Sequence, residues 1–209
     1  MRIITIRGLA GSGADEIGKL LAKKLGYDFV DREIIALIAK KLKLPKQDVS
    51  MKEMPPSTLF GRIAEVMAGT YSINPGSPDV SLPTWLIPLN DARYRKTLEH
   101  VINAISKNRS IVIVGRGSQF ILKSNPEAFH IFTVAPIENR ITRISKDLKT
   151  DGKTAKQEIE RFDSSRRAFI RRYFKAELDD PIYYDLVINT SHYSFDAVVS
   201  LIAYALKVR

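Results

Sequence analysis

Apolar residues recur along the chain in two spacings. The run IITI (3–6) is short, β-branched and uninterrupted, the pattern of a strand covered on both faces of a parallel sheet. From Ala14 to Leu25 the apolar positions Ile17, Leu20, Leu21 and Leu25 fall at helical spacing, and Gly26 supplies the expected stop. YDFVD (27–31) predicts a second strand, followed by a helical run from Arg32 to about Leu42. Asp91 to Lys107 is helical again, with Leu98, Val101, Ile102 and Ile105 on one face. SIVIVGRG (110–117) reads as a buried strand ending in a glycine turn, and HIFTVAP (130–136) as another strand. Ile137 to Leu148 and Ala155 to about Glu177 read as helices, separated by KTDGK (149–153). YDLVINT (184–190) is the last strand, and Phe195 to Leu206 the closing helix. Strands alternating with helices require right-handed crossovers, and so predict an α/β fold with a mostly parallel sheet between two helical layers. Residues 44–88 break the pattern. They hold seven of the ten prolines and the turn cluster NPGSPD (74–79), which predicts an irregular insertion with one or two short helices.

Composition narrows the classes. A chain of 209 residues supports one good core, so a single domain 1–209 with insertions is the simplest count. Apolar residues at 44% and charged residues at 27% are ordinary for a soluble globular protein. No run approaches the roughly 20 apolar residues of a membrane-spanning helix, and MRIITIRG reads as a strand rather than a secretion signal. With no targeting signal and no cysteine, disulfides are excluded and a cytoplasmic location is expected; with no spanning run, no membrane partner is expected. A net charge of +10 favours anionic partners: nucleic acid, an anionic membrane or a phosphate-rich small ligand. Nucleic acid ranks last, because no motif of a nucleic-acid-binding module is visible. His100, His130 and His192 are scattered without metal-ligand spacing. Nothing in the sequence addresses oligomeric state.

GLAGSGAD (8–15) carries the sharpest signal. The phosphate-binding template reads G-x-x-x-x-G-K-[S/T]; Gly8 and Gly13 occupy its glycine positions, but Ala14 and Asp15 stand where lysine and a hydroxyl residue belong. A strand–glycine loop–helix unit directs backbone N–H groups at an anion without any side chain. Gly11 and Gly13 permit left-handed backbone and close approach of a ligand, and the Ser12 hydroxyl can be aimed at it. Asp15 opposes a phosphate unless a cation lies between, or it merely complements the helix dipole. The same turn can also serve packing alone.

Further segments extend the pattern. GSGADEIGKLLAKKLGYDFVDREII, IVIVGRGSQFIL (111–122), APIENRITRI (135–144), FDSSRRAFIRRYF (162–174) and YDLVINTS (184–191) follow in an order that resembles the nucleoside monophosphate kinases, most closely the cytidylate kinase-like family of bacteria and archaea. The resemblance covers nearly the whole chain outside residues 45–90. It implies a P-loop NTPase fold of three layers, with an NMP-binding insertion at about 32–100 and a mobile lid at about 146–176. It also implies transfer of the ATP γ-phosphate to a nucleoside monophosphate with Mg²⁺. Arg140 and Arg143 fall on the family's "S-P-E-x-R-x-x-R" arginines, and Asp163 and Arg166 on its "D-x-x-R" pair that meets the acceptor. The chain departs from cytidylate kinases proper at Ala14 and Asp15. It also departs at Gly115-Arg116-Gly117, where they carry "G-R-D", and at DREIIAL, which keeps only Asp31 of "D-[T/S]-G-x-x-Y-R".

Phosphoryl transfer needs positive charge and fixed donors around three phosphates, and arginine's planar fork suits that task. Arg116 follows a buried strand at the edge where open α/β sheets bind ligands; the alternative is a surface turn arginine. Arg140 and Arg143 share a helix face, as nucleotide ligands or as a solvated pair. ERFDSSRRAFIRRYFK (160–175) packs five arginines and a lysine onto one helix, so Arg166 and Arg167 are expected to close over the phosphates, although Asp163 and Arg167 could form an i, i+4 ion pair. Its aromatic residues are expected in the core. Asp31 could meet the acceptor or Mg²⁺ through water, or cap the following helix. Two functions remain open: a phosphotransferase in which another cation replaces the loop lysine, and a nucleotide-binding regulatory protein that transfers nothing.

Overall fold

The computed structural model describes residues 2–31, 91–107 and 109–209. The helix expected after Arg32 and the proline-rich segment lie outside the described residues, as does most of the expected NMP-binding insertion. The elements are β1 (Ile3–Gly8), α1 (Ala14–Leu25), β2 (Asp28–Val30), α2 (Asp91–Ser106), β3 (Ile111–Val114), α3 (Ser118–Ile121), β4 (Ala128–Val134), α4 (Ile137–Leu148), α5 (Gly152–Phe174), β5 (Leu186–Asn189) and α6 (Phe195–Val208). A 3₁₀ turn, Pro181–Tyr183, precedes β5.

Five strands form one parallel sheet in the order β2-β3-β1-β4-β5. β1 is central, with Ile3 facing Ile111 on one side and Ala128 on the other, and all six of its residues are buried. Its pleat sends alternate side chains to opposite layers. Ile4 and Ile6 pack with Ile17 and Leu21 of α1 and with Val198 and Ile202 of α6. Ile3 joins Tyr94, Leu98 and Ile102 of α2 and Tyr173 of α5 on the other face. Arg7 follows Ile3 and Thr5 in that alternation and lies against the Phe132 ring of β4. The chain leaves β1 toward β2 and β3 on one side and toward β4 and β5 on the other, so a crevice opens above the carboxyl ends of β1 and β3.

Element edges differ from the expected ones for local reasons. α5 starts three residues early because the Asp151 side chain accepts from the backbone N–H groups of Lys153 and Thr154, at 2.8 and 3.0 Å. It ends at Phe174, where Lys175 turns left-handed (φ 55°), rather than near Glu177. α1 stops as expected at Gly26 (φ 67°), whose N–H caps the helix. The short α3, absent from the sequence reading, follows three consecutive left-handed residues, Gly115, Arg116 and Gly117. No described helix is long and apolar enough to cross a membrane.

One half-buried group, His130, should make the fold pH-sensitive. His130 Nδ1 lies 2.7 Å from Thr5 Oγ1, and burial holds its imidazole below the ordinary value, only partly opposed by Asp185. The unfolded chain therefore takes up a proton near pH 6.5 that the native state resists. The His130 contribution is whole above about pH 6.5 and is lost as pH falls below it. The midpoint of thermal unfolding should drop more steeply between about pH 7 and pH 5 in the parent than in His130→Gln. Parallel curves would show that His130 plays no such part.

Candidate functional site

The loop between β1 and α1 is a turn closed by the Ser12 N–H donating to the Leu9 carbonyl at 2.9 Å. Gly11 (φ 78°) and Gly13 (φ 88°) are left-handed. A Cβ at Gly11 would press on the Arg140 backbone, and one at Gly13 would run into the Phe195 ring, so conformation and packing both demand glycine. Among the described residues, no atom accepts from the backbone N–H groups of Gly11, Gly13, Ala14 and Asp15. These donors sit at the positive end of the 12-residue helix α1, a ready anion cradle. The Ser12 hydroxyl does not join them. Expected to aim at a ligand, it is fully buried and lies 2.8 Å from Thr133 Oγ1, where it fastens the loop to β4.

Side chains from three elements hold the loop from behind. Asp163 of α5 accepts from the Ala10 N–H through Oδ1 (2.9 Å) and from Arg140 Nη1 through Oδ2 (2.6 Å). Arg140 Nη1 also donates to the Ala10 carbonyl at 3.3 Å. Arg143 Nη1 donates to the Gly11 carbonyl (3.2 Å) and Thr190 Oγ1 (2.9 Å), its Nη2 donates to the Thr190 carbonyl (2.8 Å), and its guanidinium lies over the Phe195 ring. Thr190 Oγ1 in turn donates to the Ser12 carbonyl at 2.8 Å. Arg140 and Arg143, expected as nucleotide ligands, thus direct these N–H groups at protein carbonyls and at Asp163, and both are too buried to be a solvated pair. Asp163, expected at the acceptor, has both oxygens engaged beneath the loop. Its anticipated ion pair with Arg167 does not form; Arg167 Nε donates to Asp179 at 2.6 Å instead.

A cleft of about 840 Å³ opens beside the loop. Gly8, Gly11, Gly13, Ala14 and Asp15 form one wall, Asp31 and Arg116 lie on its rim, and Arg166 comes from α5. Arg166 Nη1 donates to the Gly8 carbonyl at 3.2 Å. Arg116 holds a left-handed backbone (φ 61°) between two left-handed glycines, a conformation that costs a side-chain-bearing residue about 1–2 kcal/mol. Arg167 does not line the cleft. Carboxylates from the next segment absorb part of the α5 arginine excess, Asp179 taking Arg167 and Glu177 taking Arg171. Phe169 and Tyr173 pack with Tyr94 in the core as expected, whereas Phe162 is exposed under Arg161.

Arg7 is a site residue that the sequence pattern does not single out. It lines the cleft although only 5% exposed. Its Nη2 lies 3.5 Å from Asp179 Oδ1, within ion-pair range but without hydrogen-bond geometry, and none of its three nitrogens has an acceptor among the described residues. Burial first, and then the neighbouring Arg166 charge, push its pKa down to about 10. The signal for it in the sequence is a cation inside a β-branched strand, one residue before Gly8. No group of three metal-ligating side chains occurs among the described residues; Asp15 and Asp31 are carboxylates on the cleft wall.

A parallel sheet, a glycine loop opening a helix and an arginine-lined cleft define a P-loop kinase fold. The sequence profile of the cytidylate kinase-like family matches residues 3–192, and the chain belongs to that family. A cytidylate kinase of Methanocaldococcus jannaschii is 28% identical over 98% of this chain and 97% of its own length. One from Streptococcus pyogenes is 27% identical over 95% and 93%. Among solved structures, an uncharacterized protein from Eubacterium ventriosum superposes over 100% of both chains with a TM-score of 0.70 at 19% identity. A shikimate kinase from Bacteroides thetaiotaomicron does so with 0.53 at 13% identity, over 99% of this chain and 98% of its own. These likenesses support the fold.

The fastening predicts an asymmetric mutational response. Asp163→Ala strands Arg140 in a buried place and frees the Ala10 N–H, and should cost about 3–5 kcal/mol by chemical denaturation. Asp163→Leu combined with Arg140→Met should cost clearly less than the sum of the single changes. Additive losses would show that the two residues do not act as a pair.

Proposed function

We propose that this protein is a nucleoside monophosphate kinase-like phosphotransferase, moving the ATP γ-phosphate to a nucleoside monophosphate or a related small acceptor. The observation that carries the reading is the meeting, in one cleft, of unengaged loop N–H groups with Arg116 and Arg166. The loop donors receive the β- and γ-phosphates of ATP, and Arg116 reaches the acceptor phosphate in the same cleft. An oxygen of that phosphate attacks the γ-phosphorus as the bond from the γ-phosphorus to the β–γ bridging oxygen breaks, releasing ADP. The attacking oxygen is already ionised, so no general base is required. Arg166, bound in the ligand-free protein to the Gly8 carbonyl, exchanges that bond for the charge that develops during transfer. Asp15 and Asp31 are the carboxylates suited to hold Mg²⁺ through water. Mg²⁺ held there would supply positive charge to the phosphates. Movement of α5 as a lid belongs to this proposal; because the helix buries residues from Ala155 to Tyr173 along its length, it would move together with what it packs on.

The second reading, a nucleotide-binding regulator without transfer, is favoured by Ala14 and Asp15. Turnover separates the two. With ATP, Mg²⁺ and CMP, Arg166→Ala should lower kcat by on the order of 10- to 1,000-fold with a smaller effect on KM. Installing Ala14→Lys with Asp15→Thr should restore part of the loss. Binding of nucleotide without any phosphate transfer in the parent would establish the regulatory reading instead. Arg116→Gly relieves the left-handed backbone strain and should raise the KM for the monophosphate. An unchanged KM would remove Arg116 from the acceptor site.

A further inference from the structure

Three candidates stand outside the reading above: a cavity beside Phe120, Phe174 and Tyr183, the exposed apolar residues Leu201, Tyr204 and Val208 on α6, and the buried cation Arg7. Arg7 carries an argument to a ligand.

The cluster around Arg7 contains four guanidinium groups, Arg7, Arg140, Arg166 and Arg167, against two carboxylates, Asp163 and Asp179. Each carboxylate is already held at 2.6 Å by a different arginine, Asp163 by Arg140 and Asp179 by Arg167. Arg166 bonds only a backbone carbonyl, and Arg7, whose Nη2 lies 3.5 Å from Asp179 Oδ1, donates no hydrogen bond among the described residues. Four guanidinium groups against two carboxylates leave the cluster a surplus of two positive charges, with Arg7 buried beside Asp179 and Arg166 exposed to the cleft. A buried cation without hydrogen bonds is a large cost to a ligand-free fold, and an anion relieves it. A phosphate monoester carries about −1.5 to −2 charges at pH 7 with three acceptor oxygens, which matches the surplus in sign and size. The position is also fixed in advance. Arg7 grows from the central strand one residue before the loop and rests on the Phe132 ring, so little rotamer entropy is lost on binding.

We propose that Arg7 and Arg166 together form a receptor for a phosphate dianion at the floor of the cleft, and that its ligand is the acceptor's own phosphate. The identity of the ligand rests on the kinase-like reading; the receptor does not. Arg116 reaches the same phosphate from its turn, Arg166 tightens on it as charge develops, and Arg7 acts from beneath, where the low local dielectric strengthens its pull. Arg7 is thus a positioning residue for the attacking oxygen.

The test compares the parent with Arg7→Met, which keeps the length of the side chain and removes the charge, using CMP, cytidine, ADP and inorganic phosphate as probes. The ligand-free melting temperature of Arg7→Met should equal or exceed that of the parent, because an unsatisfied buried charge is gone. Its affinity for CMP by calorimetry should fall at least about 30-fold. Stabilisation by inorganic phosphate should be lost, and stabilisation by ADP, held by loop donors, retained. Cytidine binding should not depend on Arg7. Arg7→Lys keeps the charge but not the fork, and should recover part of the CMP affinity; it also decides the matter if Arg7→Met does not fold. A purely structural arginine would show the reverse, a lowered ligand-free melting temperature with unchanged CMP and phosphate binding, and that result overturns the proposal. A parent that binds neither CMP nor inorganic phosphate also overturns it. Phosphate binding that depends on Arg7 without any CMP binding supports the receptor and refutes the nucleotide acceptor.

Discussion

The carboxylate of Asp163 joins three parts of the molecule that the chain brings together from far apart. One oxygen accepts from the Ala10 N–H in the loop, and the other from Arg140 on α4, while Asp163 itself belongs to α5. Buried as it is, it would be costly unless both oxygens were satisfied, so the interaction enforces one arrangement of loop, α4 and α5. Arg143 and Thr190 secure the next residues of the loop in the same manner. Phosphate-binding backbone is useful only if its N–H groups converge before the ligand arrives. The fastenings engage loop carbonyls and one N–H, and leave the N–H groups of Gly11, Gly13, Ala14 and Asp15 without an acceptor among the described residues.

That arrangement bears on the missing lysine. Ala14 and Asp15 remove the usual positive charge from the start of α1, and Asp15 adds a negative one. The far side of the cleft answers with guanidinium groups, Arg166 at the loop, Arg116 on its strained turn and Arg7 in the floor. Other arginines of α5 are occupied by Asp179 and Glu177, so the density of positive charge in the sequence overstates what reaches the site. Charge that is fixed, buried and without a hydrogen-bond acceptor is the relevant quantity, and Arg7 shows it most clearly among the described residues.

Hydrophobic spacing is enough to read the parallel sheet, because β1, β3 and β4 are buried strands whose short β-branched runs suit no surface element. The loop is legible for a similar reason: two glycines at fixed spacing after such a strand have a backbone meaning. Side-chain roles are less legible, since they depend on which partner the fold supplies. Ser12 looks like a ligand in the sequence, but Thr133 lies 121 residues away in the chain and claims it. Arg140 and Asp163 look like two separate contacts to nucleotide, and together they are a fastening. Arg7 reads as one more strand residue, although a cation in a fully buried strand is expensive and that cost is the available clue.

The central claim is that phosphate is held by backbone N–H groups of a loop that lacks its lysine. Amide NMR measures those groups directly. On titration with ADP, the amide signals of Gly11, Gly13, Ala14 and Asp15 should move downfield as they gain charged acceptors, and adenosine at matching saturation should leave them in place. Shifts of equal size with adenosine and ADP, or no shift at these amides while ADP is bound, would contradict the account.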